Sequence, residues 1–327
     1  MKRIIKQFEI IVSWKNLLQS YYAAKKGAKK GSNTCRFNYH LEKELIQLQQ
    51  ELIAGTYYPG PYHIFRIYDP KERTIACAPF KDRVVHHAIV DVLTPFYEKS
   101  FIHDSYASRP NKGTYNAIER AQSFLRKTRY YLKMDIEKYF DRIQHNILLQ
   151  ILDRKIKDPP LMDVIERIIE SSPSKVGVPI GNLTSQFFAN VYLDQLDHVI
   201  KDRWHIKCYI RYMDDFVAFA QEKDELHELK DRIQLYLNTY LNLTLKPTVT
   251  CIHKNSHGLN FLGMRIYPGY IRMKRENRRR SLKKAYQKMT LYEKNVITED
   301  QMIQSMDSIL SHLKRFCPNI NIWVPEP

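Results

Sequence analysis

Two adjacent carboxylates, Asp214 and Asp215, stand inside the apolar and aromatic run Arg211-Tyr212-Met213-Asp214-Asp215-Phe216-Val217-Ala218-Phe219. Burying neighbouring anions is costly unless a cation or another counter-charge compensates them. Both flanks, 208–212 and 216–220, are rich in β-branched and aromatic residues, which predicts a hairpin with Met213-Asp214 at its tip. A hairpin that needed only a turn would carry Asn-Gly or Asp-Gly there, and a second Asp against hydrophobic strands adds nothing to the fold. A third acid, Asp135, ends another short apolar strand, 130–135. Three carboxylates delivered by two neighbouring strands suit two-metal phosphoryl transfer, in which two Mg²⁺ about 3.5–4 Å apart clamp the attacking and leaving oxygens.

Tyr212-Met213-Asp214-Asp215 resembles the YxDD box of reverse transcriptases, and the Asp135 segment resembles their first palm motif. Further matches follow in order over about residues 56–315. Ser105-Tyr106-Ala107-Ser108-Arg109-Pro110-Asn111-Lys112-Gly113-Thr114 is similar to the family's SYGFRPGxS segment, with Ser108 and Asn111 departing from it. Gly177-Val178-Pro179-Ile180-Gly181-Asn182-Leu183-Thr184-Ser185-Gln186 stands where most members read PQGxxxSP. Its form, with Ile180 for Gln and Gln186 for Pro, resembles the reverse transcriptases of diversity-generating retroelements.

That resemblance implies an RNA-directed DNA polymerase of α+β class with a right-hand fold of fingers, split βαβ palm and small helical thumb. It implies error-prone copying of a template RNA at adenines. Asp135, Asp214 and Asp215, with the Ile136 carbonyl, would bind two Mg²⁺, Mn²⁺ being a substitute. Arg66, Lys71 and Arg73 would hold the nucleotide triphosphate. Phe140 would gate the sugar against a 2′-hydroxyl, or simply pack in the core. Ile180, Gly181 and Gln186 would line the incoming nucleotide, Ile180 offering an apolar face where Gln would hydrogen-bond, which lowers discrimination. Template and primer contacts would fall to Arg109, Tyr212, Met213, Lys246, Arg275, Arg279 and the Phe261-Leu262-Gly263 box. Lys246 is also the candidate proton donor, because Val249 occupies the position where the family usually has Lys. The implied partners are template RNA, the primer–template duplex, dNTPs and a small basic pentameric accessory variability protein.

The elements that must position these residues are legible in outline. Helical spacing of Ile4, Ile5, Phe8, Ile11 and Val12 predicts a helix, and 41–54 predicts a second, in a basic N-terminal region 1–55. The lysine-rich stretch 25–31 is either a solvated face or a template or partner contact. Strands at 62–68 and 74–78 flank a turn at 69–73, opening a fingers segment 56–129 that includes part of the palm. A helix runs from Pro79 to Leu93; its adjacent His86 and His87 cannot face one ligand. The palm, 130–270, carries a fingers insertion at 144–180 and strands at 206–212, 215–220, 248–253 and 259–266. A basic helical thumb, 271–327, follows, with nine Lys or Arg between Arg272 and Lys288.

Composition agrees. Fifty-two Lys and Arg against 35 Asp and Glu give +17 over 327 residues, which points to a polyanionic partner, and 22 Tyr and 14 Phe supply rings that stack on bases. Five scattered Cys lack metal spacing and fit reduced thiols, and no run approaches a membrane span, so a cytoplasmic protein is expected. No maturase, endonuclease or RNase H domain is expected. Other bacterial reverse transcriptase classes (retron, group II intron, phage-defence) and a non-catalytic nucleic-acid-binding protein on a polymerase-like fold are the alternatives.

Overall fold

The computed structural model describes residues 3–27, 32–68 and 72–316. The N-terminal region departs from the expected long helix. Ile4 instead forms a parallel bridge to Ile156, and only one turn, α1 (Phe8–Ile11), follows. The reason lies about 150 residues away, where the Asp158 carboxylate accepts the N–H groups of Gln7 and Phe8 at 2.6 and 2.9 Å and caps that turn. Ser13 then caps α2 (Trp14–Lys26), and α3 (Ser32–Tyr39) and α4 (Leu41–Ile53) complete the region. Leu17, Tyr21, Leu45 and Leu48 are buried in the main core, so these helices are part of the body.

Strands β1 (His63–Tyr68) and β2 (Glu72–Cys77) form an antiparallel hairpin whose first strand is exposed throughout. Strand β2 begins two residues earlier than expected. Helix α5 (Phe80–Glu98) runs past Leu93 and through Pro95 before α6 (Gly113–Lys127). Then come β3 (Tyr130–Asp135), the single turn α7 (Tyr139–Arg142), α8 (His145–Lys155) and α9 (Pro159–Glu170), the last two separated by 156–158, with Pro159 opening α9. Helix α10 (Leu183–His198) ends in a π-helical turn, Val199–Arg203, which leads to β4 (Tyr209–Tyr212) and β5 (Asp215–Ala220). Helix α11 (Lys223–Tyr236) likewise ends in a π-helical turn, Leu237–Leu241.

Strand β6 (Cys251–Lys254) is shorter than expected because Val249 and Thr250 turn back to donate to the Lys246 carbonyl. The single strand expected at 259–266 is two, β7 (Leu259–Phe261) and β8 (Met264–Ile266), with β9 (Ile271–Met273) beside them. The break falls at Leu262 and Gly263, both at positive φ, where Asn277 packs so closely that a Cβ on Gly263 would meet its amide. Helices α12 (Arg275–Glu293) and α13 (Glu299–Phe316) pack together at the C-terminal end.

The central sheet runs β4-β5-β3-β6, every pair antiparallel. Side chains alternate across it. Leu132 and Met134 face a core made with α5, α10 and α11, whereas Tyr131 faces a second core shared with α6 and the β7-β8-β9 sheet. Lys133 and Asp135 therefore project on the Tyr131 side.

Candidate active site

The register settles how the three acids meet. Asp135 at the end of β3 pairs directly with Asp215 at the start of β5, and Tyr212 pairs with Asp215 across the turn. Asp214 thus sits in a two-residue turn, and Met213 holds φ 57° there, a conformation that costs a non-glycine residue of the order of 1–3 kcal/mol. The surroundings impose it. Arg211, fully buried, donates from Nη1 to the Met213 carbonyl at 3.1 Å. The same guanidinium grips the fully buried Asp197 of α10 through Nε and Nη2 (2.6–2.9 Å) and reaches Asn190 Oδ1 at 3.1 Å, while Tyr209 donates to Asp197. A satisfied buried ion pair therefore underpins the turn that carries Asp214.

Burial is the main reason the Asp214 carboxyl is pushed up to about 6, Asp135 adding to it and Arg73 and Arg211 opposing it. Asp215 rises to about 7, again chiefly by burial, with the neighbouring Lys133 pulling the other way. Lys133 lies two residues before Asp135 on the same sheet face; its Nζ is 3.2 Å from Asp215 Oδ2 and donates to the Asn260 carbonyl at 2.8 Å. It ties the β7 strand to the acids. Its signal in the sequence is a lone Lys in phase with Asp135 in an otherwise apolar strand.

Asp215 Oδ1 is buried with no hydrogen-bond partner among the described residues, an acceptor suited to a hard cation. Among the described residues no three His, Cys, Asp or Glu side chains close into a metal cage. An open carboxylate set of this kind fits ions that keep waters and substrate phosphates as ligands. Ile136 is buried beside Leu245, and Lys246 donates its backbone N–H to the Asp135 carbonyl at 2.8 Å, which fixes the end of β3.

The other expected residues divide. Arg73 and Arg66 do not act together. Arg73 pairs with Ile67 and Arg66 with Thr74, so strand alternation puts them on opposite faces of the β1-β2 hairpin. Arg73 is near enough to Asp214 to favour its anionic form, whereas Arg66 is exposed and ion-paired with Glu72 at 3.0 Å. Lys71 lies outside the described residues. Arg109 is not a nucleic-acid contact: its side chain is 4 % exposed, paired with Glu98, bonded to the carbonyls of Ile102 and Ser105, and stacked on Phe101. Phe261 is buried in the second core, turned away from any primer, and the Leu262-Gly263 turn beside it is half-buried.

Gly181 (φ +119°) passes under the hairpin, where a Cβ would stand 2.9 Å from Ile75, and the Ile180 carbonyl accepts from Ala76 N–H. Ile180 lines a cavity of about 270 Å³ with Ile64, Thr74 and Asp141. Gln186 is exposed and accepts from Ser108 at 3.1 Å. Phe140 is half-buried beside Tyr139, and its carbonyl accepts from Val178. Tyr212, half-buried, meets Thr114 Oγ1 at 3.2 Å, and Met213 packs partly on the main core. Arg275 and Arg279 are exposed four residues apart on α12, hence on one face.

Residues 69–266, more than half of the chain, match the family described as "Reverse transcriptase (RNA-dependent DNA polymerase)". The chain is 26 % identical to Protein YkfC of Escherichia coli K12, covering 81 % of this chain and 82 % of that one. It is 23 % identical to the group II intron-encoded protein LtrA of Lactococcus lactis subsp. cremoris over 76 % of this chain, but spans only 54 % of that relative's length. The solved structure of apo telomerase from Candida tropicalis shares its fold, with a TM-score of 0.53 and 14 % identity over 66 % of this chain and 49 % of that one. Facing acids on adjacent strands, the hairpin over them and this family match lead to one conclusion: the chain belongs to the reverse transcriptase family of RNA-dependent DNA polymerases and has the α+β right-hand polymerase fold.

Proposed function

We propose that this protein copies a template RNA into DNA at the Asp135–Asp214–Asp215 site. The observation that carries the reading is the pairing of Asp135 with Asp215, which puts acids from distant parts of the chain at one strand end beside the Asp214 turn. These carboxylates, with the Ile136 carbonyl, would hold two Mg²⁺ (or Mn²⁺). Bound there, the ions would activate the primer 3′-hydroxyl and stabilise the leaving pyrophosphate. Arg73 would hold the triphosphate, the Gly181 backbone would allow the nucleotide close approach, and Phe140 would bar a 2′-hydroxyl. We assign 56–129 to the fingers with part of the palm, 130–270 to the palm with its fingers insertion at 144–180, and 271–327 to a thumb whose Arg275 and Arg279 face duplex phosphates. A cytoplasmic setting suits this work. Asp214→Ala should abolish primer extension while leaving RNA binding intact; robust extension by that variant would overturn the assignment.

Within the family, we assign the enzyme to a diversity-generating retroelement, working with a small basic pentameric accessory protein. Support comes from Ile180 and Gln186 in place of the usual Gln and Pro, and from the apolar position of Ile180 in the cavity under the hairpin. The prediction is that Ile180→Gln raises accuracy at template adenines, read by sequencing cDNA made from a defined RNA. An unchanged error spectrum would remove this support. A second reading, a group II intron-type enzyme, is favoured by the similarity to LtrA. Efficient, accurate copying of adenines by the wild-type protein would decide for it.

A further inference from the structure

Across the central sheet from the acids, on the side covered by α8, α10 and α11, lies an open cavity of about 610 Å³. Its volume is in the range that takes a small ligand. Both π-helical turns among the described residues border it, and such widened turns recur at functional sites. In α10 the turn delivers Trp204, whose N–H bonds back to Val199; in α11 it delivers Tyr240 just beyond Tyr236.

The lining combines rings and cations. Tyr236 and Tyr240 lie 4.8 Å apart at 36°, and Trp204 meets Tyr236 edge-on at 6.4 Å. The Arg232 guanidinium stacks 4.3 Å over the Trp204 ring. Arg154 and Arg203 also line the cavity; both are exposed, and neither has a hydrogen bond or ion pair among the described residues. Tyr240 is 62 % exposed, an apolar ring held at the surface beside unpaired positive charge. A purely structural aromatic cluster would bury Tyr240 and would not need two uncompensated arginines.

We propose that this cavity is a binding site for unpaired nucleic acid, remote from the catalytic cleft, in which a base stacks on Tyr240 and Arg154 and Arg203 take its flanking phosphates. Rings that accept any base beside cations that follow the backbone are the chemistry of single-strand binding. On the proposed polymerase reading, the natural occupant is a single-stranded stretch of the template RNA outside the copied duplex. The site itself rests on the rings and charges alone.

The test uses the full chain with a saturating, unlabelled RNA–DNA duplex in the cleft, and measures anisotropy of fluorescein-labelled 12-nucleotide oligo(U) and oligo(dT). Tyr240→Ala should weaken oligo(U) binding roughly tenfold. Arg154→Ala/Arg203→Ala should lower the slope of log affinity against log salt by about 1.4, two lost single-strand phosphate contacts at about 0.7 each. Extension of a short primer–template should be unchanged in all variants. Parallel losses on oligo(dT) support a general single-strand site, and losses on oligo(U) alone support an RNA site. Wild-type affinity and salt slope in both variants overturn the proposal, and this is also what a protein-docking role for the face would give. A failure of the polymerase reading is separately visible, as absent extension by the wild-type protein.

Discussion

Arg211 is the side chain on which the geometry of Asp214 depends, and its removal separates positioning from stability. Arg211 and Asp197 are both fully buried, so Arg211→Met strands a carboxylate whose one remaining partner of those described is the Tyr209 hydroxyl. Orphaning one member of such a pair costs about 3–5 kcal/mol. Adding Asp197→Asn removes the charge while keeping an acceptor for Tyr209, so the double variant should lose only about 1–2 kcal/mol. Neither variant restores the 3.1 Å bond to the Met213 carbonyl that holds the turn at positive φ. Freed of that bond, the Met213-Asp214 turn can relax, and a misplacement of about 1 Å at a reacting centre costs on the order of 10²-fold in rate. Urea unfolding should therefore show the double variant recovering about 1–4 kcal/mol over Arg211→Met, while primer extension stays about 10²-fold below wild type in both. Recovery of extension in step with stability would refute the positioning role; a loss under about 1 kcal/mol in Arg211→Met would refute the dry ion pair.

Gly181→Ala puts a Cβ 2.9 Å from Ile75 at φ +119°, so the hairpin must shift; KM for dNTP should rise several-fold with kcat less affected, measured by steady-state extension. His86 is buried with no hydrogen-bond partner among the described residues, and burial, with His87 and Arg83 adding, holds it near 3, below its usual 6.5. The unfolded chain therefore binds the proton first, so stability from this residue is full above about 6.5 and falls by about 1.4 kcal/mol per pH unit below it. Between pH 7 and pH 5 that amounts to about 2 kcal/mol, read in urea unfolding as the pH dependence of wild type minus that of His86→Leu, because the raised Asp214 and Asp215 carboxyls act in the opposite sense in both; an equal pH dependence in the variant would exclude His86 as its source.

The acids were legible because each stands at or beside the end of a short apolar strand, and strand ends are where sequence and geometry agree. What pairs with what was less legible. Arg66 and Arg109 look alike in sequence, basic residues in basic segments. Their fates were set by Glu72 and Glu98, and only the fold brings the latter to Arg109. The same holds for α1, capped at its start by a carboxylate about 150 residues distant, and for Phe261, whose place in a nucleic-acid motif says nothing about which core it fills. Alternation accounts for two of these facts, one through the observed register and one from the sequence alone. In an antiparallel hairpin, Arg66 and Arg73 fall on one face only in a register that opposes them directly or shifts by two, and the observed register shifts by one. Lys133 stands two residues from Asp135 in a strand otherwise apolar or aromatic up to that acid, and period-two side chains place it beside the acids. The Trp204 cavity could not be reached this way, since it depends on two helices each widening by one residue at their C-terminal ends, and helical periodicity gives no sign of a π-turn. Charged residues on apolar strands therefore report the site, while charged residues on loops and helices report only that some partner exists.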